Sequence, residues 1–452
     1  MYYHASLSMK QLTTMLLAAA SLTYAQAPGP IALRGARVVT VSGPVLEHGT
    51  VLLRNGLIEA VGENVDLPKD AWVIDAQGVT VYPGLIDALS TVGLPEAPAP
   101  STAARAETPA TPRGGQELPV PVEQGPQFRP FTTTWVRAAD LLNPADKRIE
   151  ETRGAGFSSV VAFPFTGIFA GEGAFLNLSG EKQGRMVVTS PVGQYVTMSS
   201  HGFGTYPGSL MGVIAYIRQV SFDADHYKLE LAAYASHPAG QKRPNYDRAV
   251  EGLLESPRLL LPAEDAKQVD RMLRFAAELK RPAVLYGGHE AYKVPDLIAK
   301  SGVPILVSLK WPEKSKDADP DQEESLRTLE LRDRAPSTPA ALEKAGARFA
   351  FYSGGTAPKD MRKALKRAVD AGLSEAAAVR ALTLSAAEIY GVADRVGSIE
   401  PGKIANLLVV KGNLFDEKAK VQYIFVDGVK YEPLPEAPPG DREGRAAPGG
   451  VE

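Results

Sequence analysis

Two stretches of short, turn-punctuated strand sequence, one near each end of the chain, bracket about 300 residues in which apolar strands alternate with helices. This arrangement constrains the fold more than any other feature. Near the front, residues 51–54 and 57–61 flank Asn55-Gly56, a pair that tolerates φ > 0 at both corners of a two-residue hairpin. Near the back, residues 406–410 precede 423–426, Asp427-Gly428 forms a turn, and 429–431 returns. An isolated hairpin leaves its apolar face uncovered. The two ends are therefore expected to share one small β-sandwich, built from residues 28–81 and 393–432.

The middle reads as repeated βα units. Asn143 is taken as the cap of a helix that begins at Pro144 and runs toward Gly154, with a strand over 157–163. Next come a strand at 258–261, a helix over 264–280, a strand at 282–286, a helix near 291–300 and a strand at 303–309. A helix near 339–346, a strand at 348–352 and two helices ending around Tyr390 complete the run. That is enough for an α/β fold, a TIM-like (β/α)8 barrel over residues 82–392, where such barrels take about 250 residues.

Three stretches stand outside this packing. Residues 1–27 hold Lys10, an apolar run over 12–22 and Ala25-Gln26-Ala27, the three parts of a secretory signal; the run falls short of the roughly 20 apolar residues that a span needs. The alternative is a buried N-terminal helix. A signal implies an exported protein, periplasmic or secreted, with no membrane span and with His4 removed in processing. Residues 95–130 carry nine prolines and form either a lid at the barrel mouth or a disordered insertion. Residues 433–452 are Pro, Gly and charge, a disordered, solvated tail.

Composition narrows the chemistry. With no cysteine, any metal would rest on the six histidines and on carboxylates. A net charge of −3 argues against a nucleic-acid partner.

Residues 79–87, Val-Thr-Val-Tyr-Pro-Gly-Leu-Ile-Asp, resemble the strand that enters the barrel in the amidohydrolase superfamily, near its imidazolonepropionase-like members. Residues 381–387, Ala-Leu-Thr-Leu-Ser-Ala-Ala, and 394–406, Asp-Arg-Val-Gly-Ser-Ile-Glu-Pro-Gly-Lys-Ile-Ala-Asn, resemble its closing helix and returning sandwich strand. Asn406 stands where the family usually has Asp. The resemblance implies hydrolysis of amide-like C–N bonds by one or two divalent metals, zinc or another, that activate water and polarise a carbonyl.

It also implies five ligand positions: a His-x-His pair, two further histidines and an Asp. Here those positions hold Leu89, Thr91, Pro262, Gly287 and Gly354. Four of these side chains carry no donor, and Thr91 offers only a hydroxyl, so no cofactor of the family type is expected. The bridging lysine or glutamate has no evident counterpart.

No catalytic residue can be assigned on this basis. Candidate pocket residues are Asp87, His201, His289, Glu290 and Ser353. Asp87 is read mainly as support for the first strand, and Ser353 lacks a G-x-S-x-G elbow. The Gly-rich run 167–173 lacks the lysine of a phosphate loop and is read as a loop after the second strand. His226 and His237, on or after an amphipathic helix, are expected to be structural or solvated, and His48 belongs to the sandwich.

Two functions follow as expectations. One is a non-catalytic binding or partner subunit, working with a small-molecule ligand, a metal-competent paralogue or copies of itself. The other is a divergent hydrolase of non-peptide, cyclic-amide-like C–N bonds, with its site around His201, His289 and Glu290.

Overall fold

The two termini meet in one sheet. In the computed structural model, which describes residues 29–95, 129–180, 182–200, 206–314, 319, 323–416 and 418–433, the first strands are β1 (Ile31–Val38), β2 (Leu46–Arg54), β3 (Leu57–Gly62), β4 (Trp72–Asp75) and β5 (Val79–Pro83). They join β16 (Leu407–Lys411), β17 (Lys420–Val426) and β18 (Val429–Tyr431) in an eight-stranded sheet of order β18-β17-β16-β5-β1-β2-β3, with β4 beside β1. The seam is the antiparallel β5–β16 ladder, which pairs Pro83 with Leu407 through to Val79 with Lys411. Leu33, Val51, Val81, Leu407, Val409 and Phe425 pack as its core.

Both hairpin turns take the backbone that their residues favour. Asn55 and Gly56 have φ of 52° and 80°, and Asp427 and Gly428 have 52° and 74°. The expected signal, His4, His201, residues 96–128 of the Pro-rich stretch and the tail beyond Pro433 lie outside the described residues.

The remaining strands form two sheets, where one closed ladder was expected. β6 (Leu85–Ser90), β7 (Phe157–Ala162), β9 (Ala174–Asn177) and β10 (Val187–Thr189) make a four-stranded sheet. β8 (Phe169–Glu172), β11 (Gln194–Val196), β12 (Leu259–Ala263), β13 (Ala283–Gly287), β14 (Ile305–Ser308) and β15 (Phe349–Tyr352) make a six-stranded one, parallel from β11 to β15. The ladder is interrupted at β6 because its polar groups bond elsewhere. The Ile86 amide donates to the Leu382 carbonyl, and the Tyr390 hydroxyl donates to the Ala88 carbonyl.

The other break is at Gly173, between β8 and β9, where the Phe163 ring occupies the space of any Cβ. The run 167–173, expected as a loop, thus contains a buried strand and a switch between sheets.

Helix boundaries moved where caps were misjudged. The Asn143 side chain accepts from Ala145, and it is Asp146 that caps helix Lys147–Gly154 through the Arg148 amide. Asp265 caps helix Ala266–Leu279. The stretch near 291–300 divides into a 3₁₀ turn, Ala291–Lys293, and helix Pro295–Ser301. Toward Tyr390 there are three helices: Pro358–Asp370, Glu375–Ala381 and Leu384–Tyr390. Among the described residues no helix is long and apolar enough to cross a membrane.

Candidate active site

The site is framed by the C-terminal ends of β6 and β15. Asp87, in β6, is 2% exposed, and its Oδ1 accepts from the Ser353 amide at 2.8 Å and the Leu89 amide at 3.5 Å. Burial pushes its carboxyl up to about 6, against the opposing pull of those amides and the Ser353 and Ser90 hydroxyls. Asp87 and Ser353 line a cleft of about 370 Å³ with Thr91, Arg148, Thr152 and Phe165. Two of the five candidate residues are therefore brought together.

His289 and Glu290 belong elsewhere. They follow β13, and neither lines this cleft. Nor do they pair with each other. His289 Nδ1 lies 3.2 Å from Glu264 Oε2, while Glu290 faces Lys293 at 3.3 Å and Arg327 at 3.6 Å. Sequence reasoning missed Glu264, which follows β12, the strand next to β13 in the sheet; adjacent βα loops meet in space at a separation that no motif marks. His226 is exposed and pairs with Glu230, and His48 and His237 are exposed.

Aromatic side chains fill the space between the sheets. Phe165 stacks on Tyr195 at 4.5 Å between ring centroids, and Tyr195 on Tyr286 at 5.0 Å. Phe163, Tyr352 and Tyr390 complete the cluster with Ile86, Ala88 and Leu260. Burial drives the Tyr286, Tyr352 and Tyr390 hydroxyls well above their ordinary range, so they remain neutral donors.

A family-type metal does not fit these residues. Among the described residues no three His, Asp or Glu side chains converge as a metal-binding group. More directly, Gly287 has φ +114°, and a Cβ there would lie 2.6 Å from the Glu264 carboxylate. At Gly354 the Ser308 hydroxyl occupies the Cβ position. Leu89 is 3% exposed within the apolar cluster.

The model of the Amidohydrolase family matches residues 274–431. A dihydroorotase of Anaeromyxobacter dehalogenans (strain 2CP-C) is 40% identical over 55 residues, 12% of this chain and 13% of that protein, so the match spans a small part of its length. The crystal structure of an amidohydrolase from Thermotoga maritima MSB8 superposes with a TM-score of 0.70 at 26% identity, over 89% of this chain and 100% of that one. A prolidase complexed with N-methylphosphonate-L-proline shares the fold at 16% identity and a TM-score of 0.54, over 89% and 99% of the two chains. With its terminal strands joined in one sheet and its parallel strands between them, the chain has the fold of the Thermotoga maritima amidohydrolase, and its residues 274–431 match the Amidohydrolase family.

Proposed function

We propose that this protein is a non-hydrolytic amidohydrolase-family member whose barrel mouth binds a small molecule. The observation that carries this reading is Gly287 at φ +114°, a backbone that a histidine rarely adopts, together with the buried Ser308 hydroxyl at the Gly354 Cβ position. A histidine at position 287 would need the backbone to change as well as the side chain. The two inner sheets are read as halves of one barrel, since Asp87 and Tyr390 tie β6 to Ser353 after β15 and to the closing helix. Export to the periplasm or medium, and assembly with a metal-competent paralogue or with itself, belong to the same proposal.

Elemental analysis of the purified protein tests it, together with hydrolysis assays on amide and cyclic-imide substrates. The expected result is substoichiometric metal and no turnover. About one tightly held divalent metal per chain, lost with activity on chelation, would overturn it.

A second reading rests on the Glu264–His289 pair: a metal-independent C–N hydrolase in which Glu264 orients the imidazole as general base. What supports it is Nδ1 at the carboxylate and an Nε2 that has no partner among the described residues, though buried until the loop opens to a substrate. Turnover that survives chelation and disappears in His289→Gln would favour it over the first.

A further inference from the structure

The mouth cleft presents an unfilled set of polar groups around an apolar floor. Helix Pro358–Asp370 starts at its rim with Ala357 as N-cap, and Ala357 has no side chain that can accept from the first-turn amides. Pro358 has no N–H and the Asp360 amide donates to the Ala357 carbonyl at 2.8 Å, so the Lys359 amide is the first-turn donor that no side-chain cap meets, at the positive end of thirteen residues of aligned peptide dipoles. From the opposite wall comes Thr152, 1% exposed, whose hydroxyl has no hydrogen-bond partner among the described residues. The Thr356 hydroxyl, on the same rim, is also buried and without a partner. A native protein rarely leaves such groups unmatched unless something else completes them.

Charge and shape narrow what completes them. The Arg148 guanidinium lines the cleft, held by Asp146, the Leu94 carbonyl and Thr91 Oγ1. Of the two acids lining the cleft, Asp87 turns Oδ1 to the Ser353 and Leu89 amides, and Glu151 is exposed; a third, Asp360 in the first turn of the helix, is exposed outside the lining. Leu89, Val92, Phe165 and Met361 supply the apolar lining. The volume is at the lower end of the range for small-molecule sites, about 300–1,000 Å³.

We infer that the cleft takes a small molecule with an apolar body and one carboxylate, seated on the uncapped N-terminus of helix Pro358–Asp370 with the Thr152 and Thr356 hydroxyls donating to it. The inference rests on the binding role proposed above and gives its ligand a chemical class.

Calorimetry on the full chain tests it with matched acid and amide pairs: benzoate and benzamide, hexanoate and hexanamide, N-acetyl-L-leucine and its amide. At least one acid is expected to bind about tenfold or more tightly than its amide, the ratio that a charge-assisted hydrogen bond supplies. Thr152→Val, which keeps the shape, is expected to weaken binding about fivefold to tenfold without lowering Tm, because it removes a hydroxyl that bonds nothing in the free protein. Ala357→Asp supplies the missing cap, so it is expected to raise Tm and to abolish acid binding.

Equal binding of acid and amide, no saturation by any acid, tighter binding of inorganic phosphate, or binding unchanged in Ala357→Asp would each overturn the inference. Metal content is measured on the same preparation. A stoichiometric metal would remove the non-hydrolytic reading and leave acid binding standing, whereas metal-free protein that ignores every acid would remove only this inference.

Discussion

The Ser353 amide donates to Asp87 Oδ1 at 2.8 Å, so a buried carboxylate in β6 holds the chain just after β15, 266 residues away in sequence. Burial raises the Asp87 carboxyl from 3.8 to about 6. A carboxyl whose folded pKa lies above its unfolded one binds its proton more tightly in the folded state. It therefore favours folding at acidic pH, and that contribution is lost as pH rises from about 4 through 6. Wild type and Asp87→Asn, compared by urea denaturation, should differ by a pH-dependent amount that changes by about 3 kcal/mol across this window and is flat above pH 7. A difference independent of pH would mean that the carboxyl titrates normally.

Placing the family's ligand types at positions 287 and 354 should fail, chiefly because of the backbone. In Gly287→His the residue must hold a φ of +114°, which L residues rarely adopt, and its Cβ must also displace the half-exposed end of Glu264. With Gly354→Asp added, stability should fall by about 4 kcal/mol or more. The double variant should take up no zinc at equimolar metal in equilibrium dialysis. A well-folded double variant with one zinc would mean that the pocket adapts to a family-type site.

What could be read from the sequence was local. Asn55-Gly56 and Asp427-Gly428 announced their turns because few other pairs accept two positive φ values in succession. Asn143 misled because an Asx side chain bonds the amide two residues on as readily as it caps a helix, and here Asp146 three residues later does the capping. Glycines at 167, 171 and 173 suggested a loop, but each lies against backbone or an aromatic ring that leaves no room for Cβ, and Gly171 lies within the buried strand β8. The site was hardest to read. Asp87 with Ser353, Glu264 with His289, and Thr152 with the Pro358 helix start are set by which strand ends and loops meet in the fold rather than by spacing.

Asn406, where relatives of the resembled type usually have Asp, sits in a buried polar network. Its Nδ2 donates to Asn177 Oδ1 at 2.9 Å and to Ser159 Oγ at 3.3 Å, and its Oδ1 accepts from the Asp427 amide at 2.9 Å. Asn177 in turn donates to Asp427 Oδ1, whose carboxyl burial already pushes up. Asn406→Asp loses both donations and sets a second carboxyl near Asp427, raising the folded pKa values further. Destabilisation of about 2–3 kcal/mol is expected at pH 7.5, shrinking toward pH 5 as a proton is taken up. Chemical denaturation at the two pH values checks this, and a loss that grows on acidification would reverse the sign argued here.

Gly56 and Gly428 bring the two hairpin turns into backbone contact: a Cβ on Gly428 would lie 2.8 Å from Gly56 Cα. Close by, the Ala405 amide donates to the Gly56 carbonyl and the Gly428 amide to the Ala405 carbonyl. Gly428→Ala thus carries two costs, the left-handed backbone at φ +74° and separation of the turns at a junction between the chain's two ends. Gly78 isolates the first cost, since its φ is +75° and a Cβ there meets nothing within 4 Å. Gly78→Ala should cost about 1 kcal/mol and Gly428→Ala about 3 kcal/mol or more, measured by urea unfolding. The excess should appear as faster amide exchange in β3 and β17, the strands beside the turns, while β13 and β14 keep their protection. Equal costs at the two glycines would mean that the turns separate freely and that the contact contributes nothing to joining the termini.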